Sequence, residues 1–485
     1  MDVILIQPRH RLRHGHGGRG SLPLGLLTVA TPLDLAGYEV RIIDQRLEPD
    51  WESTLLTDLK TKPICVGITA MTGPQIWWGL KASELVKQNS DVPVVWGGVH
   101  ASLLPRQTLE NPYVDMVVQG EGEETLLELV RTLASREPLN NVKGLWYKDG
   151  NQIQQNPPRP FVDLDSQPPL SYHLIDLQPR IMQGRDAPLF ETSRGCPLNC
   201  AFCYNNSFNG SRWRARSVEQ TLAHLTRAVE EFGIKRIGFS DDNLFANPDR
   251  VYKILEGIVR YELDITWGKG DLHLDVLSNL SDDYLRLIKR SGCDRLSVGI
   301  ESGSQRIVDM LNKGIDISQA ITVNHRLAKF NFGIRYLFML GTPDETPSDL
   351  AQTANLILRL LDDNPESAVG IQIFVPYPGT ELYNICVQNG LHQPDRLADW
   401  IPYSWSNRHL DFPWWSRDSK SILRMISFCS YFLETRRSQI YADINPFLSI
   451  VRRLYRPIAW GRIRGVSHSF MPELRVAEFL GFKGY

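Results

Sequence analysis

Three cysteines, Cys196, Cys200 and Cys203, stand in RGCPLNCAFCY, residues 194–204, as a C-x3-C-x2-C array. Thiols this close on one short loop converge on a single metal centre, whereas disulfides among them would be strained. A closed zinc site needs a fourth ligand, and the loop offers none: the next cysteine is Cys293, and His173 and His224 lie outside the loop. Three thiolates on a 4Fe-4S cluster leave one iron open, and an open iron can bind substrate or cosubstrate. The spacing favours the cluster over zinc.

A second set of reactive side chains falls at the ends of strand-like runs. Asp241 and Asp242 close RIGFSDD, Glu301 and Ser302 close RLSVGIES, and Gly341 to Glu345 follow GIRYLFMLG. From Pro188 to about residue 385, strand and helix patterns alternate, with LFETSR, DITWGKGD and GIQIFVPYP completing six strands. Six parallel strands with intervening helices read as a partial (β/α)6 barrel of the TIM type, which presents catalytic groups at its carboxyl ends. Ser217 with Gln220 is the capping box of one such helix, whose apolar face is Val218, Leu222, Leu225, Val229 and Phe232. Paired acids after a strand also serve as helix caps, so that reading of Asp241 and Asp242 stays open.

The elements before the cysteines alternate in the same way over residues 1–135: VILIQP, VRIID, ICVGITA and VPVVWGG, with a helix through Leu80 to Val86. This predicts a doubly wound, Rossmann-like parallel sheet with its ligand crevice at the carboxyl ends. Those ends carry Gln7 and Pro8, Thr69 to Gly73, Gly97, Gly98 and His100, and Gly120 to Glu123. Residues 136–187, with NPPRP and DSQPPLSYH, read as an extended linker with one hairpin at YKDGNQI. Residues 386–485 lose the alternation and read as a mostly helical region closing the active site, with Pro457 interrupting any long helix. Trp400, Trp405, Trp414, Trp415 and Trp460 and the basic stretch 451–465 suit either a helical face packed on the barrel or contact with an anionic membrane surface.

These motifs resemble the radical S-adenosylmethionine (SAM) superfamily. The cysteine array with Phe202 is similar to its cluster loop, whose open iron chelates SAM and generates a 5′-deoxyadenosyl radical. By that resemblance Cys196, Cys200 and Cys203 hold a 4Fe-4S cluster, and Asp241 and Asp242, in the place of the family's GGE, hold the SAM amino group. Phe202, Glu301, Ser302 and Gly341 also contact SAM, and Thr342, Pro343 and Glu345 match the G-x-P-x-E-T loop near the adenine, with Asp344 replacing the commoner glycine. PLGLL, GYEVRIID, TAMTG, GGVH and GEGEET resemble the cobalamin-binding domain that precedes many radical SAM modules. That implies cobalamin contacts from Thr69, Met71, Thr72, Gly97, Gly98, His100, Gly120 and Glu121, with Met71 and Thr72 facing the corrin. His100 is equally a polar residue satisfied at a strand end. The D-x-H-x-x-G signature is absent after VILIQP, where the chain reads RHRLRHGHGGRG, so cobalt is not expected to take a histidine from that loop. His10, His14 and His16 read instead as a mobile, partly charged loop.

With both cofactors, the resemblance implies methylation of an unactivated carbon of a biosynthetic intermediate through the 5′-deoxyadenosyl radical and methylcobalamin. The alternatives are an oxidative cyclase or rearrangement enzyme of the anaerobic porphyrin cyclase type, and a non-catalytic cobalamin or redox sensor. A flavodoxin or ferredoxin is the expected electron donor, and the substrate class (small molecule, lipid or peptide) stays open. A net charge of -2 and a pI near 6.6 give no argument for nucleic acid. Apolar runs fall short of the ~20 residues that span a bilayer, and free-thiol chemistry fits a reducing cytoplasm.

Overall fold

The computed structural model describes residues 1–12, 22–177, 189–404, 407, 410–433, 446–468 and 471–474. His14, His16, Pro188 and Trp405 lie outside them. Five parallel strands form the first sheet: β1 (Val3–Gln7), β2 (Val40–Asp44), β3 (Cys65–Thr69), β4 (Val94–Gly97) and β5 (Met116–Val118), in spatial order β2-β1-β3-β4-β5. Alternate residues of a strand face opposite ways, and β1 is buried throughout, so both faces of the sheet must be covered. Val3 and Leu5 pack with the helices Leu24–Leu35 and Glu123–Ser135, whereas Ile4 and Ile6 pack with Trp51–Leu59 and Pro74–Asn89.

The hairpin expected in the linker forms as β6 (Leu145–Asp149) and β7 (Gln152–Gln155), and it extends the first sheet to seven strands by pairing antiparallel with β5. An edge as short as β5 has unpaired backbone groups to satisfy, and the hairpin satisfies them. Beyond the hairpin the chain runs as a strap held to both halves of the molecule. Ser171 bonds Asp34 at 2.6 Å, and Tyr172 is buried edge-on against Phe232.

The second sheet contains β8 (Leu189–Phe190), β11 (Arg236–Phe239), β12 (Thr266–Leu272), β13 (Cys293–Glu301), β14 (Ile334–Leu340) and β15 (Ala368–Ile373), in that spatial order and all parallel. This is the open six-stranded barrel. The Ser217 hydroxyl caps the helix Val218–Glu230 through the Gln220 amide, while Asp165 of the strap, instead of Gln220, accepts the Ser217 amide.

Residues after 386 divide. Leu391, Leu397, Trp400 and Phe412 join the core beneath the first sheet, whereas the helix Arg417–Leu433 packs Ile422, Met425, Ile426 and Cys429 into the barrel core. Pro457 does not break the last helix, which runs through it from Pro446 to Arg464; burial of Ala459 and Ile463 offsets the lost hydrogen bond. The same helix exposes Ile450, Leu454 and Ile458. Among the described residues no helix is long and apolar enough to cross a membrane.

Candidate active site

The cysteine loop leaves the barrel through a two-stranded ribbon, β9 (Ser193–Arg194) paired antiparallel with β10 (Arg214–Ala215). Gly195 turns the chain into the loop with φ +81°, and a Cβ there would lie 1.9 Å from the Arg212 carbonyl, so only glycine fits. The loop is pinned from several sides: the Ala201 amide donates to Leu311, the Leu382 amide to the Ala201 carbonyl, and Asn312 to the Asn199 carbonyl. All three cysteines are free thiols. Burial pushes the Cys203 thiol up to about 11 and also raises that of Cys200, so each loses its proton readily only to a metal. The side-chain amide of Asn243 approaches the Cys196 Sγ at 3.5 Å. Among the described residues no three His, Cys, Asp or Glu side chains gather closely enough to hold a single ion.

The two aspartates after β11 have different surroundings. Asp241 turns inward and accepts from the Thr192 amide at 3.2 Å, the Thr192 hydroxyl at 2.7 Å and the Ser193 hydroxyl at 2.5 Å. Burial raises its carboxyl pKa, and those hydrogen bonds pull it back. Asp242 faces a cavity instead, and accepts from the Gly195 amide at 2.8 Å and the Tyr204 hydroxyl at 2.9 Å. Of the pair expected at the SAM amino group, Asp241 is spent on the barrel wall and Asp242 sits beside the cluster loop.

Glu301 ends β13 at a bulge with φ +67°, and pairs with Lys313 at 2.8 Å. Burial alone would discharge Lys313, but Glu301 and the nearby Cys200 keep its pKa raised. Its ammonium also lies 5.6 Å from the ring of Phe202. Ser302 is buried against Thr353. Trp414 and Trp415 both donate to the Gly341 carbonyl, at 3.0 and 2.7 Å, which ties the C-terminal region to this loop. Beside it, Thr342 Oγ1 and Glu345 Oε1 are buried without a partner, as is Asn243 Oδ1.

A cavity of about 310 Å³ lies between the carboxyl edges of the two sheets. Thr69, Gly97, Gly98, Gly120 and Glu121 line it from the first sheet, and Arg194, Tyr204, Ser240 and Asp242 from the barrel. Gly98 has φ +87°, and a Cβ there would meet Thr69 Oγ1 at 2.7 Å and the Ala70 amide at 2.9 Å. At Gly25 and Gly120 a Cβ would touch nothing within 4 Å.

Met71, Thr72 and His100 do not line this cavity. Met71 is 59 % exposed, while Thr72 bonds His100 Nδ1 at 2.9 Å. His100 is fully buried edge-on to Trp400, and burial lowers its pKa to about 3, so it stays neutral. His10 has Gln75 on Nδ1 and Arg46 on Nε2. Glu121 lines the cavity with both oxygens engaged by Arg194, Arg214 and the Val162 amide. Sequence reasoning missed Arg194, Asn243 and Lys313. Arg194 lay inside the quoted RGCPLNCAFCY, Asn243 directly follows RIGFSDD, and Lys313 shows only as a lone cation twelve residues after Glu301.

These residues fit the groups that the sequence suggests. Three free thiols on a pinned loop suit a polynuclear iron centre, the unpartnered oxygens of Asn243 beside Cys196 and of Thr342 and Glu345 after β14 suit a polar ligand, and the glycine-bearing wall suits a bulky one. Fold and site together define a radical SAM enzyme with a B12-binding domain: the radical SAM superfamily model matches residues 190–357, and the B12 binding domain model residues 20–130. The chain belongs to the cobalamin-dependent radical SAM family, whose cofactors are a 4Fe-4S cluster, SAM and cobalamin. It is 32 % identical over 442 residues to an uncharacterized methyltransferase of Pyrococcus horikoshii, covering 90 % of this chain and 93 % of that one. It is 24 % identical to the anaerobic magnesium-protoporphyrin IX monomethyl ester cyclase of Synechocystis, covering 84 % and 81 %. The fold matches the radical SAM methyltransferase TsrM from Kitasatospora setae, solved with cobalamin and a [4Fe-4S] cluster, with a TM-score of 0.73, 16 % identity, and 96 % and 100 % of the two chains covered.

Proposed function

We propose that the protein methylates an unactivated carbon of a biosynthetic intermediate. The observation that carries the proposal is the cavity bounded by the carboxyl edges of both sheets, which brings a cobalamin-type crevice against a cluster loop. When bound, the cluster with SAM supplies a hydrogen-abstracting radical, and cobalamin supplies a methyl group. The chain's own residues bind and orient. Cys196, Cys200 and Cys203 ligate iron. Asp242 offers a carboxylate to an ammonium beside the loop, a charge-assisted contact. Asn243, Thr342 and Glu345 offer unpartnered polar atoms to the rest of SAM. Gly97, Gly98 and Gly120 let the corrinoid approach the backbone, and Trp414 and Trp415 tie the C-terminal region to the Gly341 loop. The similarity to the Pyrococcus methyltransferase over nearly the whole chain supports this reading.

The test is anaerobic incubation of the reconstituted protein with a low-potential reductant, cob(I)alamin and methyl-labelled SAM. Methyl transfer is expected to place label on the corrinoid and release S-adenosylhomocysteine. Formation of 5′-deoxyadenosine without S-adenosylhomocysteine would overturn methylation in favour of the cyclase chemistry named for the Synechocystis relative.

A further inference from the structure

Two features, the GEGEET turn of the first sheet and the arginine before the cluster loop, meet in the structure. The Arg194 guanidinium reaches Glu121 at 2.9 Å, Glu123 at 2.7 Å and Glu191 at 2.9 Å. Arg214 stands directly opposite Arg194 across the ribbon and takes the same Glu121 at 2.8 Å. The second Glu121 oxygen accepts the Val162 amide of the strap at 2.8 Å, and Phe161 lies under Arg214 at 4.2 Å. Turn, strap and ribbon are thus fastened at one carboxylate, which is only 5 % exposed.

The position of this fastening matters more than its strength. Arg194 is two residues before Cys196, and the ribbon brackets the whole segment that carries the three thiols. Glu121 directly follows Gly120 and Glu123 comes two residues later, and the turn forms the cavity wall on the cobalamin side. Any ligand seated against Gly120 presses on the same turn whose carboxylates hold the base of the cluster loop. A guanidinium with its donors in a fixed fork transmits position, because three carboxylates satisfy it only in one orientation.

We propose that Glu121, closed between Arg194 and Arg214, is a positioning residue that couples the corrinoid crevice to the cluster loop, so that filling either site tightens the other. The inference rests on the two cofactors of the family and is independent of whether a methyl group is transferred.

The experiment measures hydroxocobalamin binding by equilibrium dialysis, under anaerobic conditions, with the cluster reconstituted and with iron removed by a chelator. In the wild type the cluster is expected to tighten cobalamin binding by about tenfold, and cobalamin to raise by about the same factor the chelator concentration that removes half the iron at equilibrium, since coupling between equilibria is reciprocal. In Glu121→Gln and Arg194→Lys the factor is expected to fall to within about twofold, with the cluster EPR signal no longer shifting when cobalamin is added. Arg214→Lys weakens the Arg214 contacts to Glu121 and the strap while leaving Arg194 in place, and serves if the other two fail to fold; it is expected to lower the factor partway. Equal cobalamin affinity with and without the cluster in the wild type, or an undiminished factor in a folded variant, overturns the clasp while leaving the methylation reading untouched.

Discussion

On the first-sheet side of the cavity the wall is apolar and glycine-rich: Gly97, Gly98 and Gly120 stand among Leu24, Val29, Thr69 and Val118. On the barrel side it is side chains held by other side chains: Asp242 by Tyr204 and Gly195, Arg194 by three glutamates, and Asp241 behind them by Thr192 and Ser193. A wall of glycines and apolar side chains admits a bulky ligand close to the sheet, and a wall of interlocked polar side chains aims individual atoms. The contrast assigns bulk to one edge and precision to the other.

The sharpest attack on the barrel side is Cys200→Ala. Loss of one of three thiolates is expected to abolish the 4Fe-4S absorbance and EPR signals completely, while the folded first sheet still binds cobalamin more weakly. Iron retained at full stoichiometry would refute the cluster.

The two aspartates provide the next largest effect. Asp241→Ala strands the hydroxyls of Thr192 and Ser193 in a buried site and is expected to cost about 3 kcal/mol in denaturant unfolding. Asp242→Ala, whose two donors border the cavity and can turn to water, is expected to cost only about 1 kcal/mol in unfolding and to weaken SAM binding at least tenfold, a loss of about 1.4 kcal/mol or more. Similar unfolding losses in both would erase the distinction between scaffold and site.

That distinction marks how far the sequence reaches. The doubly wound sheet, the barrel and the glycine-bearing edge followed from periodicity and from residues at strand ends, because burial on both faces writes long apolar runs. The run RIGFSDD placed two acids beside the cluster, but which one faces the cavity depends on the Thr192 and Ser193 hydroxyls nearly fifty residues earlier. Glu121 reads as a ligand contact in sequence because its arginines come from another segment. Met71 and His100 share loops with true lining residues, yet a one-residue change along a loop turns a side chain away, and the chain from Trp400 onward covers His100. Long-range partners of this kind leave no local periodic signal.

On the glycine side, Gly98→Ala is expected to cost about 1–3 kcal/mol, since the methyl meets Thr69 and Ala70 within 3 Å and the backbone is left-handed. Cobalamin affinity should fall with it. Gly120→Ala is the control: its φ of +81° carries the backbone strain, but open space surrounds the added methyl, so the smaller loss measures strain without collision. Equal losses would mean that close packing against β3 is not what selects glycine at Gly98.

Glu345, on the loop after β14, carries a carboxylate that the fold leaves half satisfied. It bonds the Gly341 amide through one oxygen and leaves the other without a partner, and burial pushes its carboxyl pKa up to about 8. A folded-state pKa above the unfolded value means that the native state binds the extra proton, so this stabilisation is fully present below about pH 4.5 and is lost as pH rises through about 8. The thermal midpoint of the wild type is therefore expected to decline across that window relative to Glu345→Gln, which keeps the shape and cannot titrate. If SAM supplies the missing donor it stabilises the charged carboxylate, lowers the pKa and flattens the decline. A decline unchanged by saturating SAM would place Glu345 outside the ligand's reach and make its open oxygen a feature of the barrel alone.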